Sequence, residues 1–179
     1  SGFEPEPHQM LLDEEIDVLI TASRLPMEGI SYLPLFQYES RLVLSPTHPL
    51  VDKKSPIFPE DLIDETLIVY PVEAKRLDII AHFFAPAGLA PKKLRTTELT
   101  AMLIQLVASE RGVASLPNWV VNEYEKKGWV ISRALGEGVF CQLYAATRTT
   151  SKEVAYIQGF LDLLPEITHK PILPAHHRG

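Results

Sequence analysis

Residues Arg95 to Val121, RTTELTAMLIQLVASERGVASLPNWVV, constrain the fold more than any other stretch of the chain. Leu99, Met102, Leu103, Leu106 and Val107 recur at the spacing of one apolar helix face. Thr96 or Thr97 can cap that helix, since a threonine oxygen accepts from an amide that has no intrahelical partner. Gly112 stands where a left-handed residue would end it. Val113 to Leu116 is a short apolar run, and Pro117 suits the first turn of a following helix. The stretch therefore reads as helix, buried strand, helix. Each helix start exposes free N–H groups and a positive dipole end, which can seat a small anion or can be ordinary core architecture.

Similar units fill the rest of the chain. Pro5 to Glu15 reads as a short helix with Met10 and Leu11 inward. Ile16 to Thr21, IDVLIT, is a β-branched run expected to be buried on both faces, as in a parallel sheet. A helix running into such a strand implies that a preceding βα unit is absent from this chain. Ser23 to Gly29 is a loop. Tyr32 to Leu44 is extended, with Phe36, Tyr38, Ser40, Leu42 and Leu44 on one side. Pro46, Pro49, Pro56 and Pro59 mark a connector, and Pro59 to Leu62 can form one helical turn.

Thr66 to Tyr70 is another buried-type strand, followed by the loop Pro71 to Lys75. Arg76 to Ala87 is expected to be one helix, with Leu77, Ile80, Ala81 and Phe84 on a face and Gly88 at its end. Lys93 to Thr96 is a short strand, and Asn118 to Lys127 the helix after Pro117. Trp129 to Leu135 and Val139 to Thr147 read as two strands joined by a turn at Gly136-Glu137-Gly138. Thr150-x-x-Glu153 has capping-box spacing and opens a helix carrying Val154, Ile157, Leu161 and Leu164. The tail from 166 to 179 has no periodicity and is expected to be extended or disordered. Strands and helices alternate, so the fold class is α/β.

Several functions are disfavoured by composition. Net charge is −6, and the 17 lysines and arginines are scattered among acids, which is not the footprint of a nucleic-acid surface. No apolar run approaches the roughly 20 residues of a membrane span. No secretory signal is visible, and the single cysteine, Cys141, cannot form an internal bridge, so the expected location is cytoplasmic. The six histidines show no metal-ligand spacing, and neither a phosphate loop nor a nucleophile elbow occurs. No cofactor or metal is expected, and the expectation is not an enzyme. Prephenate dehydratases share a two-lobe binding-protein fold, but their Thr-Arg-Phe signature fails here, because Thr147-Arg148 is followed by Thr149.

The segments IDVLIT, RLVLSPTHPL, LIVYP and GVASLP, in that order, resemble the effector-binding domain of LysR-type transcriptional regulators. A narrower set, YPVEAKRLDIIAHFFAPAGLAP, LIQLVASERGVASLPNWVVNEYEKKGWV and LGEGVFCQLYAATR, is similar to the branch of that family that controls methionine biosynthesis in response to homocysteine. The resemblance covers nearly all of residues 1 to 165. It implies a two-lobe, type II periplasmic-binding-protein-like α/β domain with two hinge strands. Lobe one would hold residues 1–33 with 134–165, and lobe two residues 34–133. It also implies a homodimer or homotetramer that contacts DNA only through an N-terminal winged helix-turn-helix absent from this sequence. The alternative is the solute-binding protein of an amino-acid or small-anion transporter.

Ligands of open α/β sheets sit at the carboxyl ends of strands and the starts of helices. Those positions are Thr21, Ala22 and Ser23; Tyr70, Pro71 and Val72; Thr96 and Thr97; and Ser115, Leu116 and Pro117. A homocysteine-like amino acid needs a partner for its carboxylate, and Arg76, expected in the first turn of its helix, is the candidate unless it is simply solvated. Glu73 or Glu98 could face the ammonium or be plain surface charge. Val72 and Phe36 could wall the thiol side chain or be core.

Overall fold

In the computed structural model, residues 6–150 and 153–163 are described. They fall into two units: residues up to Gln37 and from Cys141 onward form the first, and Tyr38–Phe140 the second. Two long strands, β2 (Ile30–Leu44) and β6 (Ile131–Arg148), each carry the chain from one unit into the other.

In the first unit, α1 (Pro7–Leu12) is shorter than its apolar pattern suggests. The Glu6 carboxylate accepts from the Gln9 amide at 3.0 Å, and Leu11 is buried while Met10 is half-buried. The expected parallel strand over IDVLIT is instead a three-residue edge strand, β1 (Leu19–Thr21), antiparallel to β6 with Leu19 opposite Ala146. Ile20 is 54% exposed, so the run is not buried on both faces. The Arg148 guanidinium accounts for the shortening: it donates to the carbonyls of Leu11 (2.9 Å) and Ile16 (2.8 Å) and to Asp17 Oδ1 (2.8 Å). Ile16 thus gives its carbonyl to a side chain rather than to a ladder. The helix α5 (Glu153–Leu163), which follows β6, belongs here too, and the 166–179 tail lies outside the described residues.

The second unit has the connector turn Pro49–Asp52, then α2 (Pro59–Leu62), β3 (Thr66–Val69), β4 (Lys93–Thr96), α3 (Thr100–Ala108), β5 (Val113–Pro117) and α4 (Asn118–Lys126). The strands lie in the order β2-β5-β3-β4, antiparallel at β2/β5 and parallel at β5/β3 and β3/β4. Arg41 faces Leu116, Ile68 faces Ala114, and Val69 faces Thr96. Parallel strands need a helical crossover that covers the sheet, so β3 and β5 are mainly apolar and share a core with α3 and α4, while β4 at the sheet edge is exposed along its length. That core joins Val43, Ile68, Leu103, Ile104, Val107, Ala114, Leu116, Val121 and Val130.

Around α3 the structure departs from three sequence expectations. The buried face of α3 is Leu103, Ile104 and Val107, whereas Leu99 is 65% and Met102 50% exposed. The segment is apolar almost all round, so its period is clear but its rotation is set by the sheet beneath it. The cap is also different. Thr96 ends β4, the Thr97 amide donates to the Val69 carbonyl at 3.0 Å, and the cap position is Leu99, with no side-chain bond. The left-handed residue after α3 is Glu110 (φ 60°). Gly112 meets a different need, because a Cβ there would lie 2.4 Å from the Thr66 carbonyl oxygen.

Arg76–Ala87 is not one α-helix. It is a 3₁₀ turn at Ala74–Arg76, a π-helical segment at Ile80–Phe84 and a second 3₁₀ turn at Ala85–Ala87, ended by Gly88 at φ 68°. The inward residues are Ile79, Phe83 and Phe84. The wider turn lets the consecutive Phe83 and Phe84 both be buried, with their rings edge to face at 5.6 Å. The expected turn at Gly136-Glu137-Gly138 is likewise absent: β6 runs unbroken through 18 residues. Gly136 (φ 56°) and Gly138 (φ 115°) bend it instead, and the Gly136 amide donates to the Ile57 carbonyl at 2.8 Å.

Candidate functional site

The carboxyl ends of β3 and β5 converge with one residue of β2 on a cavity of about 320 Å³ within the second unit. Ile68, Val69, Leu103 and Leu116 give it an apolar floor; Ser40, Ser115, Arg76 and Asp78 supply polar groups. Its size is at the lower end for a small-molecule site.

Local chemistry sets each wall. After β3 the chain turns tightly, with the Val72 amide donating to the Tyr70 carbonyl at 2.8 Å. The Tyr70 hydroxyl lies 2.5 Å from Thr100 Oγ1, which ties the end of β3 to the start of α3. Arg76 then closes a 3₁₀ turn, its amide donating to Glu73 O at 2.9 Å, rather than opening a long helix. Its side chain is exposed, and no ion pair to another described residue forms there. Asp78 is half-buried, and its Oδ2 accepts from the Tyr38 hydroxyl at 2.6 Å. His82, one turn further on and exposed, brings a ring nitrogen within 4.8 Å of that carboxylate. On the opposite wall the hydroxyl oxygens of Ser40 and Ser115 lie 2.5 Å apart. At the end of β5, Pro117 precedes α4 with no side-chain cap, while Asn118 Oδ1 accepts from the Glu39 amide at 3.0 Å.

Of the residues singled out from sequence, Tyr70, Val72, Arg76, Ser115, Leu116 and Pro117 line this cavity together. Pro71 sits exposed in the same turn and is not part of the lining. Thr96 is exposed on β4 and Thr97 is half-buried; neither lines it. Thr21 and Ala22 belong to the first unit, where Thr21 Oγ1 accepts from the Ser23 amide at 3.0 Å and Ala22 is exposed. Phe36 is also in the first unit. Glu73 is engaged with Lys75 at the surface (3.2 Å), and Glu98 is exposed. The acid on the cavity is Asp78, which the sequence reading passed over, together with Ser40, Ile79 and Leu103. Ser40 carried a signal: it is a hydroxyl in the middle of an otherwise apolar strand face.

A two-unit α/β chain crossed by two long strands, with a mainly apolar cavity at the carboxyl ends of its parallel strands, is a type II periplasmic-binding-protein-like domain of the kind found in LysR regulators. Residues 1–167 match the LysR substrate binding domain, and the chain belongs to that family. Within the family it is similar to proteins named HTH-type transcriptional regulator MetR. The one from Escherichia coli K12 is 44% identical over 161 residues, covering 90% of this chain and 50% of the relative. That from Haemophilus influenzae Rd is 38% identical over 162 residues, covering 89% and 52%. The chain thus spans about half the length of these curated relatives. The regulatory domain of NMB2055 (MetR), a LysR family regulator from N. meningitidis, superposes with a TM-score of 0.81 at 40% identity, covering 90% of this chain and 74% of that one. The effector binding domain of QuiR in complex with shikimate shares the fold at a TM-score of 0.68 and 21% identity. No helix among the described residues is long and apolar enough to cross a membrane.

Proposed function

We propose that this chain is the ligand-sensing domain of a LysR-type regulator of methionine-biosynthesis genes, with homocysteine or a closely similar amino acid as its co-effector. The observation that carries the reading is the cavity at the ends of β3 and β5, found in a chain whose relatives are named MetR. Arg76 takes the effector's carboxylate in this reading: it lines the cavity, is exposed, has no ion pair among the described residues, and carries the side chain best shaped for two parallel bonds to a carboxylate. The Ser40 and Ser115 hydroxyls offer further bonds, and Val72, Ile68 and Leu103 give a sulfur-bearing side chain an apolar wall.

In this reading the regulator acts as a homodimer or homotetramer in the cytoplasm, and its DNA contact belongs to a helix-turn-helix domain of the kind named in its relatives, the HTH-type transcriptional regulators MetR. With a net charge of −6 and scattered cations, the present residues are poorly suited to phosphate binding themselves. A ligand changes such an assembly only by binding one arrangement better than another.

Calorimetric titration of the intact regulator with L-homocysteine, L-methionine and related thiols tests the reading. The expected result is saturable heat with L-homocysteine at one site per subunit. No heat from any of these compounds would overturn it.

A further inference from the structure

The cavity lining contains one cation, Arg76, and one anion, Asp78. We infer that Asp78, held by Tyr38, is the specificity residue that makes this cavity select a ligand with an ammonium group beside its carboxylate. The inference rests on the effector reading above, and it names a residue which that reading does not require.

The two charged residues stand two positions apart in the chain and border the same cavity. Leu77, between them, is extended (φ −87°, ψ 119°). That conformation sets the Cα atoms of Arg76 and Asp78 about 6.6 Å apart. Both residues line one cavity. An α-amino acid carries its own two charges a few bond lengths apart, so it can meet both residues at once. A ligand with a carboxylate alone would satisfy Arg76 and leave Asp78 facing a second anion, which selects against it.

The carboxylate is also prepared for a cation. Its Oδ2 accepts from Tyr38, whose side chain is buried and belongs to β2, so the group is anchored to the sheet. No lysine or arginine among the described residues forms an ion pair with it. The other nearby acids do not compete: Glu73 is paired with Lys75, and neither Glu73 nor Glu98 is part of the lining.

The test compares L-homocysteine with 4-mercaptobutanoate, which keeps the carbon chain and thiol but lacks the amino group, by calorimetry on the intact regulator. Wild type is expected to prefer L-homocysteine by about tenfold or more, the scale of one hydrogen bond to a charged group. Asp78→Asn should abolish most of that preference by weakening homocysteine while leaving mercaptobutanoate unchanged or tighter. Tyr38→Phe keeps the carboxylate but frees it, and should give an intermediate preference. Equal binding of the two compounds to wild type, or an undiminished preference in Asp78→Asn, overturns the assignment and leaves the effector reading standing. If Asp78→Asn does not fold, the wild-type comparison and Tyr38→Phe decide. Failure of wild type to bind L-homocysteine, L-methionine and the deaminated compound alike would bring down the effector reading and this inference together.

Discussion

Ser40 of β2 and Ser115 of β5 are diagonal neighbours across an antiparallel pair, and their hydroxyl oxygens meet at 2.5 Å on the wall of the cavity. Ser40 is 2% exposed, so Ser115 is the main partner its hydroxyl has. Ser115→Ala should destabilise the protein by about 1–3 kcal/mol, the cost of leaving a buried hydroxyl unpaired. The double variant Ser40→Ala/Ser115→Ala should recover part of that loss, since nothing is then left unsatisfied. Urea unfolding in a double-mutant cycle measures the coupling. Additive losses would mean that the two hydroxyls do not depend on each other.

Arg76 tests the site without disturbing the fold. Its side chain is exposed and lacks a described ion pair, so Arg76→Ala should leave the thermal midpoint nearly unchanged. It should weaken the response to an amino-acid effector tenfold or more, on the order of 1.5–3 kcal/mol for a charge-assisted contact. A titration curve that coincides with wild type would remove Arg76 from the site.

The rotation of α3 separates two neighbouring residues. Leu103 is buried against β3 and β5, whereas Met102 is half open to solvent. Leu103→Ala should cost about 2–5 kcal/mol by losing transfer energy and leaving a cavity. Met102→Ala should cost less than about 1 kcal/mol, since little of that side chain leaves water on folding. Chemical denaturation of both variants checks this, and the reverse ranking would put the helix in the other rotation.

The Asp61 carboxylate closes the start of α2 by accepting from the Phe58 amide at 2.7 Å and from the Lys53 ammonium. Burial pushes its carboxyl up, but those two donors and the Lys53 charge outweigh burial and hold it below the usual carboxylate range. A depressed folded-state pKa contributes stability above the unfolded value, about 3.9, and loses it as pH falls through the folded value. Asp61→Ala should therefore cost about 1 kcal/mol at neutral pH, and the gap to wild type should narrow below pH ~4. Stability curves at pH 7 and pH 3 check the sign; a gap that widened in acid would contradict it.

Read along the chain, much of the fold is visible because it depends on neighbours in sequence. Pro59 starts α2, Thr66–Val69 and Val113–Pro117 are strands, and Pro117 marks the passage into α4. What escapes is whatever depends on distant residues. Gly136 and Gly138 look like a hairpin turn until Ile57 arrives beside Leu135 and claims the Gly136 amide. IDVLIT looks like a central strand until Arg148 takes the Ile16 carbonyl. Asp78 looks like an ordinary helix-start acid until Tyr38, forty positions earlier, bonds to it beside the cavity.

The order of residues by itself determined the α/β alternation, the family, and half of the cavity lining. Propensity, apolar period and turn chemistry act over a few residues and survive without tertiary contacts. Only the folded structure decided which face of α3 is inward, that Arg76–Ala87 widens into a π-helical turn, and that Ser40, Arg76, Asp78 and Ser115 share one cavity. Those outcomes were settled by packing and hydrogen bonds between segments far apart in the chain, for which a local pattern carries no signal.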